Sequence, residues 1–315
     1  MSALVHIRVV VPEHLRAAIV ADLTDNESVT NIVVLEAAVV HPAGDLVLFD
    51  VARESINHTV AGLEGRGVRK HGSITVVHTH LTLGERVDVL RDAAPGEGHA
   101  TVVWPEIETI VRADARTSWL YLTYFLTAAV IAAAGIMSDS SILIVGAMVV
   151  GPEFAPLAAM SWALERRDWS LFAQAAITGA IGSTLAVAGA ALLTLVADAA
   201  GWIPQGFDMG DLPLTGFISH PDVFTLIVAV AAAVAGMLAL TLERSGTLVG
   251  VLVSVTTIPA IAGIGVAAAT AEWDDLRGAS IQLAINIAAL TVVGAVTLAV
   301  LRHRTPQAQP TPAVG

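Results

Sequence analysis

The sequence predicts an α-helical membrane protein, with six transmembrane helices forming an inverted 3+3 repeat behind an N-terminal α+β ferredoxin-like (βαββαβ) cytosolic domain. Three observations predict it. Of 315 residues, 55% are hydrophobic and 14% charged, whereas charged residues make up about a quarter of an ordinary soluble domain. The apolarity is unevenly placed: between Trp119 and Leu301 arginine occurs in three short stretches and lysine not at all. Finally, segments of the apolar part recur in order along the chain.

Residues 1–83 read as the soluble domain. Leu4–Val11, rich in Val and Ile, is a strand. Pro12 then opens a helix that carries Leu15, Ile19 and Leu23 at helical spacing. Strands over 29–40 and 45–53 are joined through Pro42, Ala43 and Gly44. A helix with Ile56, Val60 and Leu63 on one face stops at Gly65 and Gly67, and a fourth strand covers 73–81. That order is βαββαβ, with two helices on one face of an antiparallel sheet.

Gly62, Gly65 and Gly67 follow a helix rather than precede one, which makes them helix-stop glycines and not a phosphate loop. His78 and His80 share one strand face, with His71 nearby, and two such histidines could ligate zinc. No carboxylate close in sequence completes a set, so solvated histidines are expected, and neither a metal nor another cofactor. A small-molecule ligand is the partner such a domain offers, although a fold alone proves no function.

The net charge of −12 excludes nucleic acid, which demands a basic face. With no cysteine there is no disulfide, thiolate metal site or thiol catalysis. The run Leu4–Val11 is too short and lacks the basic leader of a signal peptide, so the first domain is expected to stay in the cytosol. A linker over 84–118 contains the loop Pro95, Gly96, Glu97, Gly98. Its Ile107, Ile110 and Val111 form the apolar edge of a charged segment, which suits an amphipathic interfacial helix or an ordinary linker helix.

A bilayer core of ~30 Å needs about 20 apolar residues per helix. The candidates are 119–137, 141–163, 170–197, 222–242, 247–271 and 277–301. Arg112, Arg116, Arg166, Arg167, Arg244, Arg302 and Arg304 all fall on one side. The other side has Arg277, set among Glu272, Asp274 and Asp275, and a long loop 201–221 with Asp208 and Asp211. Basic residues stay inside. The expectation is a multi-pass protein of the inner (plasma) membrane with both termini cytosolic and a disordered tail over 302–315.

The repeat is visible as three matches. The alanine-rich stretch 128–137 resembles 229–238; the segment around Pro156 resembles that around Pro259; and Gln174 to Thr178 resembles Gln282 to Asn286. The offsets are 101, 103 and 108. Three spans per repeat is odd, so the second repeat enters the membrane from the opposite side. In such repeats the site lies near the midplane, where Pro- or Gly-interrupted helices meet. Here Gly151, Pro152, Glu153 and Pro156 interrupt one helix, and Ser254, Thr256, Thr257 and Pro259 the other.

Glu153 is the one acid near the middle of a span. A carboxyl there is costly and marks a functional candidate, the alternative being a protonated donor to a carbonyl freed by proline. Gln174 with Thr178, and Gln282 with Asn286, stack one turn apart and read either as site lining or as interhelical hydrogen-bonding pairs. The small-residue faces of Thr178, Gly182, Ala186 and Ala190, and of Gly246 and Gly250, predict close packing and a homo-oligomer in the bilayer.

Gly146, Ala147 and Met148, followed by Pro152 and Pro156, resemble the Gly-Ala-Met…Pro…Pro motif of a prokaryotic membrane family, domain of unknown function 389. Leu248, Val249, Gly250, Thr257, Ile258 and Pro259, then Leu283, Ala284, Ile285 and Asn286, are similar to its later signatures. The resemblance implies a membrane domain over most of 117–301 and assigns no chemistry.

These features predict a transporter or channel for a small polar solute or ion, regulated by the cytosolic domain. The alternative is a membrane-anchored ligand sensor or assembly scaffold. An enzyme is not expected, since no span contains histidine and no nucleophile–base set can be assembled.

Overall fold

The computed structural model describes residues 4–78, 102–204, 206–241 and 257–304. The chain divides into one compact unit that ends at Pro105 and a second over Glu106–Arg304.

In the first unit β1 (Leu4–Val11) leads into α1 (Glu13–Thr24), then β2 (Val29–Val39), β3 (Gly44–Ala52), α2 (Ile56–Gly65), a short α3 (Val68–His71) and β4 (Ser73–His78). The sheet order is β2-β3-β1-β4, and every neighbouring pair is antiparallel. Side chains alternate across a strand, so Val5, Ile7, Val9 and Val11 all point to one face. That face meets Val47, Phe49 and Val51 of β3, Ile19 and Leu23 of α1, and Ile56, Val60 and Leu63 of α2 in a single core. Each such side chain contributes roughly 1.5–3 kcal/mol by leaving water. The chain can turn from α3 into β4 because Gly72 lacks a Cβ, which would overlap the Val10 carbonyl.

The predicted strands and helices of this unit are present within a residue or two. The far end of the fourth strand, the loop at Pro95 and His80 lie outside the described residues, as does the side chain of His78. His71 stands edge-on to His14, with ring centroids 6.2 Å apart.

The remaining helices are α4 (Trp104–Asp114), α5 (Trp119–Met137), α6 (Ser141–Val150), α7 (Phe154–Arg166), α8 (Trp169–Ala199), α9 (Val223–Thr241), α10 (Ile258–Thr270) and α11 (Trp273–Arg304). On α4, Ile107 and Val111 are buried and Ile110 is half-exposed. Four helices, α5, α8, α9 and α11, are long and apolar enough to cross a membrane, and α6 with α7 makes a fifth if the bent pair is one span. The chain is therefore a membrane protein. Exposed tryptophans stand at the ends of these helices: Trp119, Trp169 and Trp273 each open one, and Trp202 follows α8. Indoles prefer that level of a bilayer.

The segment 141–163 is interrupted as expected, into α6 and α7, bent by 58°. Pro152 has no N–H to donate, and Gly151 takes an extended conformation, φ −67° and ψ 132°. Within 247–271, helix is described only over α10, whose 13 residues reach about 20 Å and cannot cross alone. Residues 242–256, with Arg244, Gly246 and Gly250, lie outside the described residues.

Helix starts at 119, 154 and 169 recur at 223, 258 and 273, each 104 residues later. This spacing falls within the range of the sequence offsets, 101, 103 and 108. Segments built from alanine, valine and glycine align almost as well when slid by a few residues. Packing follows the same period. α5 lies along α8 as α9 lies along α11, α7 meets α8 as α10 meets α11, and across the two sets α10 packs on α8 as α7 packs on α11. Where α10 crosses α8, a Cβ on Gly265 would stand 2.7 Å from Ala190 Cβ. Where α7 crosses α11, a Cβ on Gly294 would stand 2.6 Å from Ser161 Oγ.

These crossings use up the small-residue face of α8. Thr178, Gly182, Ala186 and Ala190 are all buried within the chain, so they are not the free docking stripe that the oligomer expectation took them for. The lipid-facing side of α8 instead carries Ile177, Ile181, Leu192 and Leu195.

Candidate functional site

The break between α6 and α7 is where the two sets of helices meet. α6 ends at Val150, and Glu153 is the N-cap of α7. Thr257 is the N-cap of α10. The two caps occupy equivalent places, 104 residues apart, and Thr257 Oγ1 donates to Glu153 Oε1 at 3.2 Å. Both side chains are buried, at 3% and 1% exposure. A Cβ at Gly151 would overlap Glu153 Oε2 and press to 2.8 Å on Ile258. The carboxyl thus folds back over its own helix break.

Pro152 sits in the break, whereas Pro156 and Pro259 lie in the first turns of α7 and α10, where a missing N–H costs little. They act as helix starts rather than kinks. Pro156 packs against Gly179 of α8, at 3.8 Å from where a Cβ would stand. One turn on, Gly182 receives the ring of Tyr121, whose hydroxyl would lie 2.7 Å from a Cβ there. The Tyr121 hydroxyl is buried without a hydrogen-bond partner among the described residues, and it is within electrostatic reach of Glu153. Composition offers no clue to this residue, since a tyrosine near the start of a span reads as an interfacial anchor.

The structure brings together Glu153 and Thr257, with Pro152, Pro156 and Pro259 beside them. Ser254 and Thr256 lie outside the described residues. The other candidates are placed elsewhere. Gln174 is exposed. Thr178 Oγ1 donates to the Ala115 carbonyl at 2.8 Å and pairs with Thr117 Oγ1 at 2.8 Å. With its amide set to suit its neighbours, Gln282 donates to the carbonyls of Phe217 and Ile218 at 3.2 and 2.9 Å. Thr178 and Gln282 are themselves 104 residues apart, and each holds the segment that precedes the first helix of its set. Asn286, one turn beyond Gln282, is fully buried.

Charge is segregated along the second unit. At one end Arg302 reaches Glu165 at 3.0 Å, Arg166 reaches Glu165 at 3.1 Å, and Arg112 reaches Asp168 at 3.1 Å. At the other end Asp139 Oδ1 accepts from the backbone of Leu214 and Thr215 at 3.1 and 3.0 Å. There Asp208, Glu272 and Asp275 bring carboxylate oxygens within 4.8 Å of one another, close enough to hold a metal ion. Each already accepts a backbone N–H: Asp208 and Asp275 from Gly210, Glu272 from Met209. This gives the cluster a structural role in pinning the loop.

Burial, then the neighbouring Asp275 and Asp208, raise the pKa of Glu272 above the ordinary carboxylate range. A raised carboxyl binds its proton more tightly folded than unfolded, so its contribution is complete below the ordinary value and is lost as pH rises through the raised one. Asp168 is shifted the other way, by the Leu171 N–H and Arg112, and so titrates below that window. The melting temperature of the wild type should therefore climb relative to Glu272→Gln as pH falls from 7 toward 5. A constant difference across that range would remove the coupling.

Residues 148–292 match the family model described as a domain of unknown function, DUF389. An uncharacterised protein of Methanocaldococcus jannaschii is 22% identical over 257 residues, covering 73% of this chain and 78% of its own. No solved structure matches the chain. The stretch similar to DUF389 runs from the end of α6 through Glu153 and Thr257 into the last helix.

Proposed function

We propose that the chain is a transporter or channel for a small polar solute or ion, with its site at Glu153 and Thr257 midway between two inverted repeats. The observation that carries this reading is the carboxyl buried where two half-helices start. A charge held away from water is costly and rarely kept without a use. The inverted repeat is supported by the constant 104-residue spacing of helix starts and by the matched packing pairs. The fifth span of this reading, over 247–271, includes α10. The βαββαβ order and β2-β3-β1-β4 sheet support a ferredoxin-like domain, which regulates the membrane unit from the cytosol. The arginine-rich end faces the cytosol of the inner membrane.

Because the N-terminal unit has a core of its own, a second reading is a membrane-anchored sensor or scaffold that passes nothing. The test is flux through the full chain in proteoliposomes, with gradients of sodium, potassium, chloride and protons offered one at a time. At least one gradient should dissipate faster than in protein-free vesicles, and Glu153→Gln should change that rate by about tenfold or more, equivalent to about 1.4 kcal/mol of barrier. If no gradient moves in either protein, the sensor or scaffold reading takes its place.

A further inference from the structure

We infer that the solute class is a small monovalent anion, for which the Glu153 carboxylate is a tethered stand-in; this rests on the transport reading above. Two helix N-termini converge at the Glu153–Thr257 contact. Each α-helix carries about half a positive charge at its N-terminus, so the two together offset roughly one carboxylate. Among the described residues of the second unit, Arg112, Arg116, Arg166, Arg167 and Arg302 lie near or beyond helix ends, and Arg277 lies near the start of α11. Among those residues, compensation for a charged Glu153 comes from helix ends and hydroxyls.

Two hydroxyl donors stand in this region, Thr257 on the carboxyl itself and Tyr121 within its electrostatic reach. The Tyr121 hydroxyl is the independent sign of a ligand. Tyr121 is 9% exposed, its oxygen has no hydrogen-bond partner among the described residues, and it lies over Gly182, one turn along α8 from the glycine that packs on the first turn of α7. A buried phenol with nothing to bond is costly and is satisfied by an acceptor arriving in the site. The C-terminal carbonyls of α6 meet the same break and add about half a negative charge. With Glu153 in place the balance is slightly negative and excludes a second anion; with its charge gone the balance is positive and donors face an empty acceptor position. The anion and the carboxylate compete for one place.

The probe is chloride. Full-length protein in potassium chloride vesicles, with a potassium ionophore carrying the compensating charge, should release chloride at least about tenfold faster with Glu153→Gln than as wild type, while sodium flux, and potassium flux measured without the ionophore, stay unchanged. Adding Tyr121→Phe should remove at least two-thirds of that gain, since the hydroxyl touches the anion while the ring still fills the space over Gly182. Should Glu153→Gln fail to fold, Glu153→Met, of similar length and without the charge, should likewise raise chloride release. Wild-type flux of sodium, potassium or protons that Glu153→Gln abolishes, without any gain for chloride, would overturn the anion assignment and leave transport standing. So would a chloride gain that Tyr121→Phe does not touch. No movement of any ion in any variant would sink both.

Discussion

Gly265→Leu is expected to leave no monodisperse protein in mild detergent, and Gly265→Ala to cost about 1–3 kcal/mol, the usual range for overpacking. The reason lies in what a side chain there would meet. Its Cβ would stand 2.6 Å from the Val187 carbonyl oxygen and 3.0 Å from the Ala191 nitrogen. Backbone of a long helix cannot step aside without moving the helix. At the equivalent crossing, Gly294→Ala meets mainly the Ser161 side chain, which can be removed, so it should cost less. Ser161 Oγ donates to the carbonyls of Leu157 and Leu290 at 2.9 and 3.1 Å, so Ser161→Gly alone should also destabilise. Combining Ser161→Gly with Gly294→Ala recreates the glycine–alanine pair of the other crossing, and the two changes should be less harmful together than their sum predicts. Thermal unfolding of the two single variants and the double variant reads the coupling directly. Strict additivity would mean that the two crossings are not equivalent contacts.

Much of this architecture is readable from residue order, and what is not has physical causes. Val5, Ile7, Val9 and Val11 alternate because one face of the sheet is buried, and that pattern survives in the sequence. Arginine is excluded from the apolar helices because a bilayer has no partner for it, which marks the membrane unit. Glu153 and Thr257 can be paired in advance since each lies just before a proline of a helix's first turn, Pro156 and Pro259. The period of 104 is harder to see. Alanine and valine runs carry little register information, yet Trp169 and Trp273 carry it plainly, because each opens a long helix after a left-handed residue, Arg167 at φ 57° and Ala271 at φ 62°.

Polarity alone is a poor proxy for a site. Thr178 and Gln282 are polar and buried, but their partners are backbone carbonyls of the segments entering α5 and α9. Spacing along one helix does not reveal which neighbour a side chain meets. The same limit applies to Gly182, Ala186 and Ala190, whose small size serves the crossing of α5 and α10 on α8 rather than a second copy. Tyr121 escapes notice for the opposite reason: nothing in a span-initial tyrosine says that its hydroxyl is buried over a glycine.

The largest all-or-none effect is expected from topology. A chain without cysteine accepts single cysteines cleanly. Ser170, at the arginine-rich end of the membrane unit, and Asp211, in the acidic loop at the other end, are both exposed. Ser219, although in the same loop, is buried at 4% exposure and would report burial instead of side. In intact cells a membrane-impermeant thiol reagent should label Asp211→Cys fully and Ser170→Cys not at all, and permeabilisation should make the two equal. The physical basis is the segregation of charge. Arg112, Arg166 and Arg302 gather with Glu165 and Asp168 at one end, while Asp139, Asp208, Glu272 and Asp275 tie down loops at the other. Basic residues near span ends are retained on the cytosolic side during insertion, whereas acidic ones influence orientation little. The arginines therefore decide, and labelling of Ser170→Cys alone in unbroken cells would reverse the whole molecule, placing the N-terminal domain outside and ending its role as a cytosolic regulator.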